Sequence, residues 1–479
     1  MQSVMRKPEW ILFSFLFTFL PALAAPVVGQ EITPSEIKAY QNVISLKKYG
    51  RGSDDIRPAF DAYLDSYSRF LEVMIDGTPA TYDAFEKSAD RALSTITAED
   101  EINLYLKSEI GIQKAFVKLK EGSELSAVWQ LRQTYRDVAE YTEKYPDFLP
   151  FKRTWGLLQI LVGAVPDNFQ WLPRLFGVSG SIEEGRDLLL SIPSGHWLYS
   201  ESRVIISLAD SYLLEESKRA VRGFGEVIKD NQDNPLFSYL YMTLLLRNHL
   251  AQQAIDYFSS RKTHIDLAYY LAGNACLQAG KYAESIKWFE QFERTYEGQD
   301  FRKDTAYKLF LANYLNGNAQ MADSQFKRIR EVGGTGTESD RYAARMFEKG
   351  YPNPEIMRIR LATDGGFYKK AETIANSLKA EGFSKTEDQV EFIYRKARIF
   401  HFTNRPDEAI DAYRETISRQ GNESWYYAPN SCLQLGYLYL DKGESSLAQQ
   451  YFRKTFNYRG YEYKKGIDRK AHSALVTHF

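Results

Sequence analysis

Residues 432–452 read CLQLGYLYLDKGESSLAQQYF. At helical spacing Leu435, Gly436 and Tyr439 fall on one face of a first helix. Ala448 and Phe452, four apart, fall on one face of a second. The nine residues from Tyr439 to Ala448 leave room for a helix end, a tight turn and a new helix start. Gly436 and Ala448 are small enough for the two helices to approach closely, and the aromatics fill the space beside them. The stretch predicts an antiparallel helical hairpin.

The unit recurs. Residues 268–292 (AYYLAGNACLQAGKYAESIKWFEQF) place Tyr269, Gly273, Cys276, Ser285 and Phe289 at the same offsets. Residues 393–413 place Ala397, Phe400, Ala409 and Tyr413 there, with Asn404, Pro406, Asp407 and Glu408 supplying a cap, a first-turn proline and acids at the positive helix end. Weaker copies lie at 201–227, 239–262, 303–329 and 353–378. The spacing resembles the tetratricopeptide pattern W-x-x-L-G-x-x-Y…A-x-x-x-F, with Cys432 in the Trp position. A single hairpin cannot bury its own apolar face, so seven copies imply a stacked array. The expected fold is an all-α, tetratricopeptide-like helical-hairpin solenoid. Its expected organisation is a signal peptide over 1–29, an irregular helical region over 30–195 continuous with the solenoid, and repeats with a C-terminal capping helix over 196–479.

Composition fits a globular helical chain, with 44% hydrophobic and 26% charged residues. Lys plus Arg number 61 against 62 Asp plus Glu, which gives no overall electrostatic footprint for nucleic acid. Arg6 and Lys7 precede an apolar run of eleven residues, Trp10–Leu20, and then Pro21-Ala22-Leu23-Ala24. That order reads as a secretory signal, too short for a membrane span, with cleavage after Ala24 or Gly29. No lipid-anchor cysteine follows it. The expected location is the bacterial periplasm or cell envelope. Both cysteines, Cys276 and Cys432, occupy core-facing repeat positions and are expected as buried thiols.

Residues 102–144 predict a helix pair turning at Gly122-Ser123. The apolar run Trp155–Val165 predicts a buried helix, and Trp171, Leu172, Leu175 and Phe176 an aromatic hairpin, either core or membrane-touching. Gly156, Val165-Pro166, Trp171 to Phe176, then Gly177, Gly180 and Gly185 resemble the signature of the inclusion-body-clearance family of tetratricopeptide proteins. Tyr458 to Tyr463 and a closing helix at 467–475 resemble the end of that family. The resemblance implies a helical-repeat adaptor without known catalytic chemistry. Members of that family are intracellular, whereas this chain carries an export signal.

Catalytic and metal motifs are thin. Six histidines stand without paired spacing, neither cysteine lies near a histidine in sequence, and Gly333 to Glu338 lacks the Gly-Lys-Ser/Thr of a phosphate loop. The chain is expected to be non-enzymatic and to need no cofactor or metal. In tetratricopeptide geometry the first helix of each pair lines a concave groove. The candidate partner-binding residues are Tyr270, Asn274, Tyr307, Tyr314, Tyr394, Arg398, His401 and Tyr437, with Leu311 and Leu433 beside them. The expected partner is a protein or peptide, not nucleic acid. The basic stretch 453–471 offers a second surface, for peripheral membrane contact or as a solvated cap. Alternative readings are an accessory subunit for glycan or nutrient capture at an outer membrane, and a membrane-docking structural module.

Overall fold

The computed structural model describes residues 31–165, 177–214 and 216–479. The expected export signal and nearly all of the 166–178 aromatic hairpin lie outside the described residues. Among the described residues there are 23 α-helices and no strand. The protein is an all-α helical-repeat protein. Helix α1 (Pro34–Ile44) precedes the pairs α2/α3 (Pro58–Ile75, Pro79–Thr95), α4/α5 (Glu101–Glu121, Glu124–Lys144) and α6/α7 (Leu149–Gly163, Ile182–Leu190). Then come α8/α9 (Tyr199–Tyr212, Ser217–Asp230), α10/α11 (Pro235–Arg247, Ala251–Ser259), α12/α13 (Asp266–Ala279, Tyr282–Thr295) and α14/α15 (Arg302–Leu315, Ala319–Glu331). A single helix, α16 (Glu338–Lys349), interrupts the pairing. The array resumes with α17/α18 (Pro354–Asp364, Tyr368–Asn376), α19/α20 (Thr386–Phe402, Pro406–Gln420), α21/α22 (Tyr427–Asp441, Ser445–Thr455) and a closing helix α23 (Lys464–His478).

One backbone device makes most of the hairpins. A residue in the left-handed region ends the first helix and turns the chain: Gly122, Gly280, Gly317, Gly366 and Gly443, with Asn404 and His249 in two other turns. The pairs then close over small residues. A Cβ on Gly273 would sit 2.8 Å from the Phe289 ring, and one on Gly436 would run into Phe452. Ser285 Oγ donates to the Gly273 carbonyl at 2.8 Å, joining the same two helices by a hydrogen bond. The region read as irregular is built the same way. A Cβ on Gly156 would lie 2.8 Å from the Gly185 carbonyl, and one on Gly163 would lie 2.9 Å from the Ile182 amide, so α6 and α7 cross backbone on backbone.

The early helices converge on a buried charge. Arg153 of α6 lies between Glu109 of α4, at 2.9 Å, and Glu201 of α8. Tyr40, Tyr63, Tyr67 and Tyr105 stack around it, all fully buried. The array curls back on itself, since Lys120 pairs with Asp300 at 3.0 Å and Tyr296 Oη donates to the Ile75 carbonyl at 3.1 Å.

The path changes at α16. That helix packs on α14 and α15, but α17 and α18 dock instead against the α10–α11 turn and the end of α12. His249 Nδ1 lies 2.8 Å from the Asp364 carbonyl, Lys370 Nζ donates to the Ala279 carbonyl at 2.7 Å, and the Ala251 amide donates to the Gly365 carbonyl at 3.2 Å. The largest core therefore runs from Ile37 to Met357, a smaller one from Ile356 to Ile399 joins α17, α18 and α19, and another runs from Val390 to Ala474. A seam lies where α16 meets α17, α19 and the segment before α23. No helix among the described residues is long and apolar enough to cross a membrane.

Candidate functional site

The seam is lined from one side by α16 and from the other by α17, α19 and the segment before α23. Helix α16 is fixed at its start. Thr337 caps it, and the buried Asp340 carboxylate accepts from Thr337 Oγ1 at 2.6 Å, the Phe301 amide at 2.8 Å and the Asp304 amide at 3.0 Å. One carboxylate thus holds the N-terminal ends of α14 and α16 together, where helix dipoles favour negative charge. Burial pushes the Asp340 carboxyl up to about 6, against the lowering effect of those hydrogen bonds.

Beyond that anchor α16 presents Tyr342, Arg345 and Lys349. Arg360 of α17 donates through Nη1 to Tyr342 Oη at 2.6 Å, and its guanidinium stands 5.3 Å from the Tyr342 ring. Arg360 forms an ion pair with half-exposed Asp364 at 3.7 Å, beyond hydrogen-bond reach. Arg395 of α19 is buried and fully engaged: it holds Glu391 at 2.5 Å and donates to Tyr426 Oη at 2.8 Å, while Tyr427 Oη donates to Glu391 at 2.9 Å. Arg345 faces the exposed Tyr463 ring at 5.9 Å and lies 3.8 Å from Glu462. Lys349 completes the rim, 3.5 Å from Glu462 and 3.8 Å from Glu387. The interior of the seam carries two arginines and one tightly held glutamate, with tyrosine hydroxyls between them. Such a surface suits a partner that brings carboxylates and hydrogen-bond acceptors.

The predicted groove residues divide into two sets. Asn274, Tyr314, Arg398, His401 and Tyr437 are partly exposed. Tyr270, Tyr307 and Tyr394 are instead buried, with Leu311 and Leu433. Tyr270 Oη donates to Asp304 at 2.6 Å and accepts from Lys308 at 2.8 Å. Tyr394 Oη accepts from Asn430 at 2.6 Å. Tyr307 packs edge-on against Tyr342. These three join neighbouring hairpins, so they cannot meet a partner without unpacking the repeats. Arg398 lies against the Phe402 ring at 4.5 Å, and His401 Nδ1 is 3.3 Å from Tyr413 Oη. Burial, and then Arg398, lower the His401 pKa to about 4, which keeps the ring neutral.

The sequence reading missed Tyr342, Arg345, Arg360, Tyr426 and Tyr463. Tyr463 lies in the basic stretch already singled out, but only the fold brings it across from α16. Cys276 and Cys432 are buried free thiols, and burial pushes both up to about 12. No group of three or more metal-ligating side chains converges among the described residues.

A family model for the tetratricopeptide repeat matches residues 267–294, 390–423 and 429–457. These spans fall on the pairs α12/α13, α19/α20 and α21/α22. No curated protein matches the chain. Among solved structures the chain is similar to a Rap protein complexed with competence and sporulation factor, at 11% identity over 80% of this chain and 96% of that one, with a TM-score of 0.29. It is also similar to human IFIT1, as a dimer with PPP-AAAA, at 12% identity over 89% and 95%, with a TM-score of 0.33. The APC/C hetero-tetramer Cut9-Hcn1 gives 12% identity over 86% and 93%, with a TM-score of 0.23. These superpositions are loose. Tetratricopeptide repeats commonly serve as protein-binding scaffolds.

Proposed function

We propose that the chain is a non-enzymatic scaffold of the cell envelope that binds a protein or peptide along its inner face, with the α16–α17 seam as the main contact. The observation that carries this reading is Arg360, a guanidinium set among Tyr342, Tyr426 and Tyr463 whose ion pair, to half-exposed Asp364, is longer than a hydrogen bond. A carboxylate or backbone carbonyl of a partner would complete its hydrogen bonding. Tyr and Arg dominate the energetics of protein interfaces. Arg398, His401, Tyr314 and Tyr437 extend the same inner face along α19, α14 and α21.

The envelope location rests on the Arg6 to Ala24 pattern. The resemblance to the inclusion-body-clearance family supports an adaptor role, and the close packing of Gly156 on Gly185 gives its glycines a physical purpose. An Arg360→Ala, Tyr463→Ala double variant should lose capture of its partner from envelope extract by about 2 kcal/mol or more, the scale of hot-spot truncation. Its melting temperature should stay close to the parent value, since both side chains are partly exposed. A variant that melts normally and captures every parental partner would exclude the seam. The double substitution of Tyr394 and Arg398 to alanine is a poorer test, because Tyr394 is core and its loss should lower the melting temperature by itself.

A further inference from the structure

Helix α23 buries Ile467, Ala471 and Ala474 against α21 and α22. On its other face Lys465, Arg469, His472, Val476 and Phe479 recur at spacings of four, three, four and three, and all are exposed. The first half of this stripe is polar and the second half is not: Val476 is 71% exposed and Phe479 44%. The Phe479 ring lies 6.5 Å from Phe452, and Phe456, which caps the end of α22 one turn beyond Phe452, is 37% exposed. Exposed apolar side chains thus stand among the bases of α22 and α23.

The charge there is strongly one-signed. Residues 453–479 contain seven Lys and Arg against Glu462 and Asp468. Both acids are already engaged, Asp468 with Lys464 at 2.7 Å and Glu462 with Arg345 and Lys349 across the seam. Arg453, Arg459 and Lys465 form no ion pair among the described residues. A two-fold contact with a second copy would set this positive face against itself. A nucleic acid would answer the charge but leave Val476 and Phe456 without apolar contact. An anionic bilayer answers both, offering phosphates to the bases and the headgroup–acyl boundary to the apolar side chains.

We propose that the α22–α23 face docks peripherally on an anionic phospholipid membrane. This docking would use the bases of the stretch and leave Glu462 and Tyr463 to the seam.

Co-sedimentation of the full chain with vesicles tests it, using phosphatidylcholine alone or mixed with phosphatidylglycerol. The bound fraction should rise about tenfold on the anionic vesicles and fall back in high salt, as electrostatic attraction is screened. An Arg453→Glu, Arg459→Glu, Lys465→Glu variant should lose that gain with an unchanged melting temperature. If it melts early, Arg459→Gln with Lys465→Gln supplies a milder reading of the same loss. Phe456→Ser with Val476→Ser should weaken vesicle binding while leaving retention on heparin unchanged. Equal binding to both vesicle types, or parental binding by the charge variants, overturns the proposal. So does retention on heparin without vesicle binding, or a concentration-dependent dimer that the charge variants abolish.

Discussion

A methyl group added to Gly436 would meet the ring of Phe452, which is fully buried between α21 and α22. Gly436→Ala should therefore cost about 1–3 kcal/mol by overpacking, although alanine is the better helix former by about 1 kcal/mol. Gly225→Ala is the control: its nearest neighbour would be Tyr241 Oη at 3.4 Å, so the propensity gain should win. Urea unfolding of the two variants reads the difference, and the opposite order would contradict the hairpin packing. Asp76 gives a second residue-scale test. Burial, then Asp266 and Glu297, push its carboxyl up to about 6. A folded-state value above the unfolded one means that its stabilising contribution is complete below about 3.8 and lost as pH rises through about 6. Asp76→Asn should thus be more stable than the parent at pH 7.5, by roughly 1 kcal/mol after allowance for solvent screening. The gap should shrink as pH falls and close below about pH 3.8, and a constant gap in melts across that range would exclude the assignment. Gly436 and Gly273 were legible in the sequence because each meets an aromatic sixteen residues away within one hairpin. Tyr270 and Tyr394 were misread because one step round a helix separates the groove from the next repeat. The superhelical twist, not the repeat spacing, decides that step.

At the scale of the element, the hairpins from α10 to α22 follow from local spacing and from a left-handed residue at the turn, both readable in one dimension. The pairs α2/α3 and α6/α7 were harder to see, since they replace the Ala–Phe spacing with other contacts. In α2/α3 Phe70 packs on Phe85 at 6.0 Å, and in α6/α7 Gly156 faces Gly185. The single helix α16 carries no hairpin signal, because its partners α14 and Glu462 come from other parts of the chain. Gly185→Ala places a Cβ against the Gly156 carbonyl and the Ile160 amide, both backbone atoms that cannot rotate away. It should abolish exchange protection across α6 and α7 while leaving α19–α22 protected, because repeat arrays lose stability locally. Hydrogen exchange read by mass spectrometry checks this. Uniform loss along the whole chain would mean that the two cores unfold as one.

For the whole molecule, the seam lies where α16 meets α17, α19 and the segment before α23, and its rim carries ion pairs that are partly exposed. Such pairs contribute about 0–1 kcal/mol each. These rim pairs therefore add little to stability beside the buried Asp340 anchor, which holds α16 in place. The most direct test of inner-face binding is site-specific photo-crosslinking in the native host, with a benzoylphenylalanine at Tyr463 on the seam or at exposed Met321 on α15. Inner-face binding predicts a discrete adduct to one partner from position 463 and none from position 321. An adduct from position 321 with none from position 463 would contradict it.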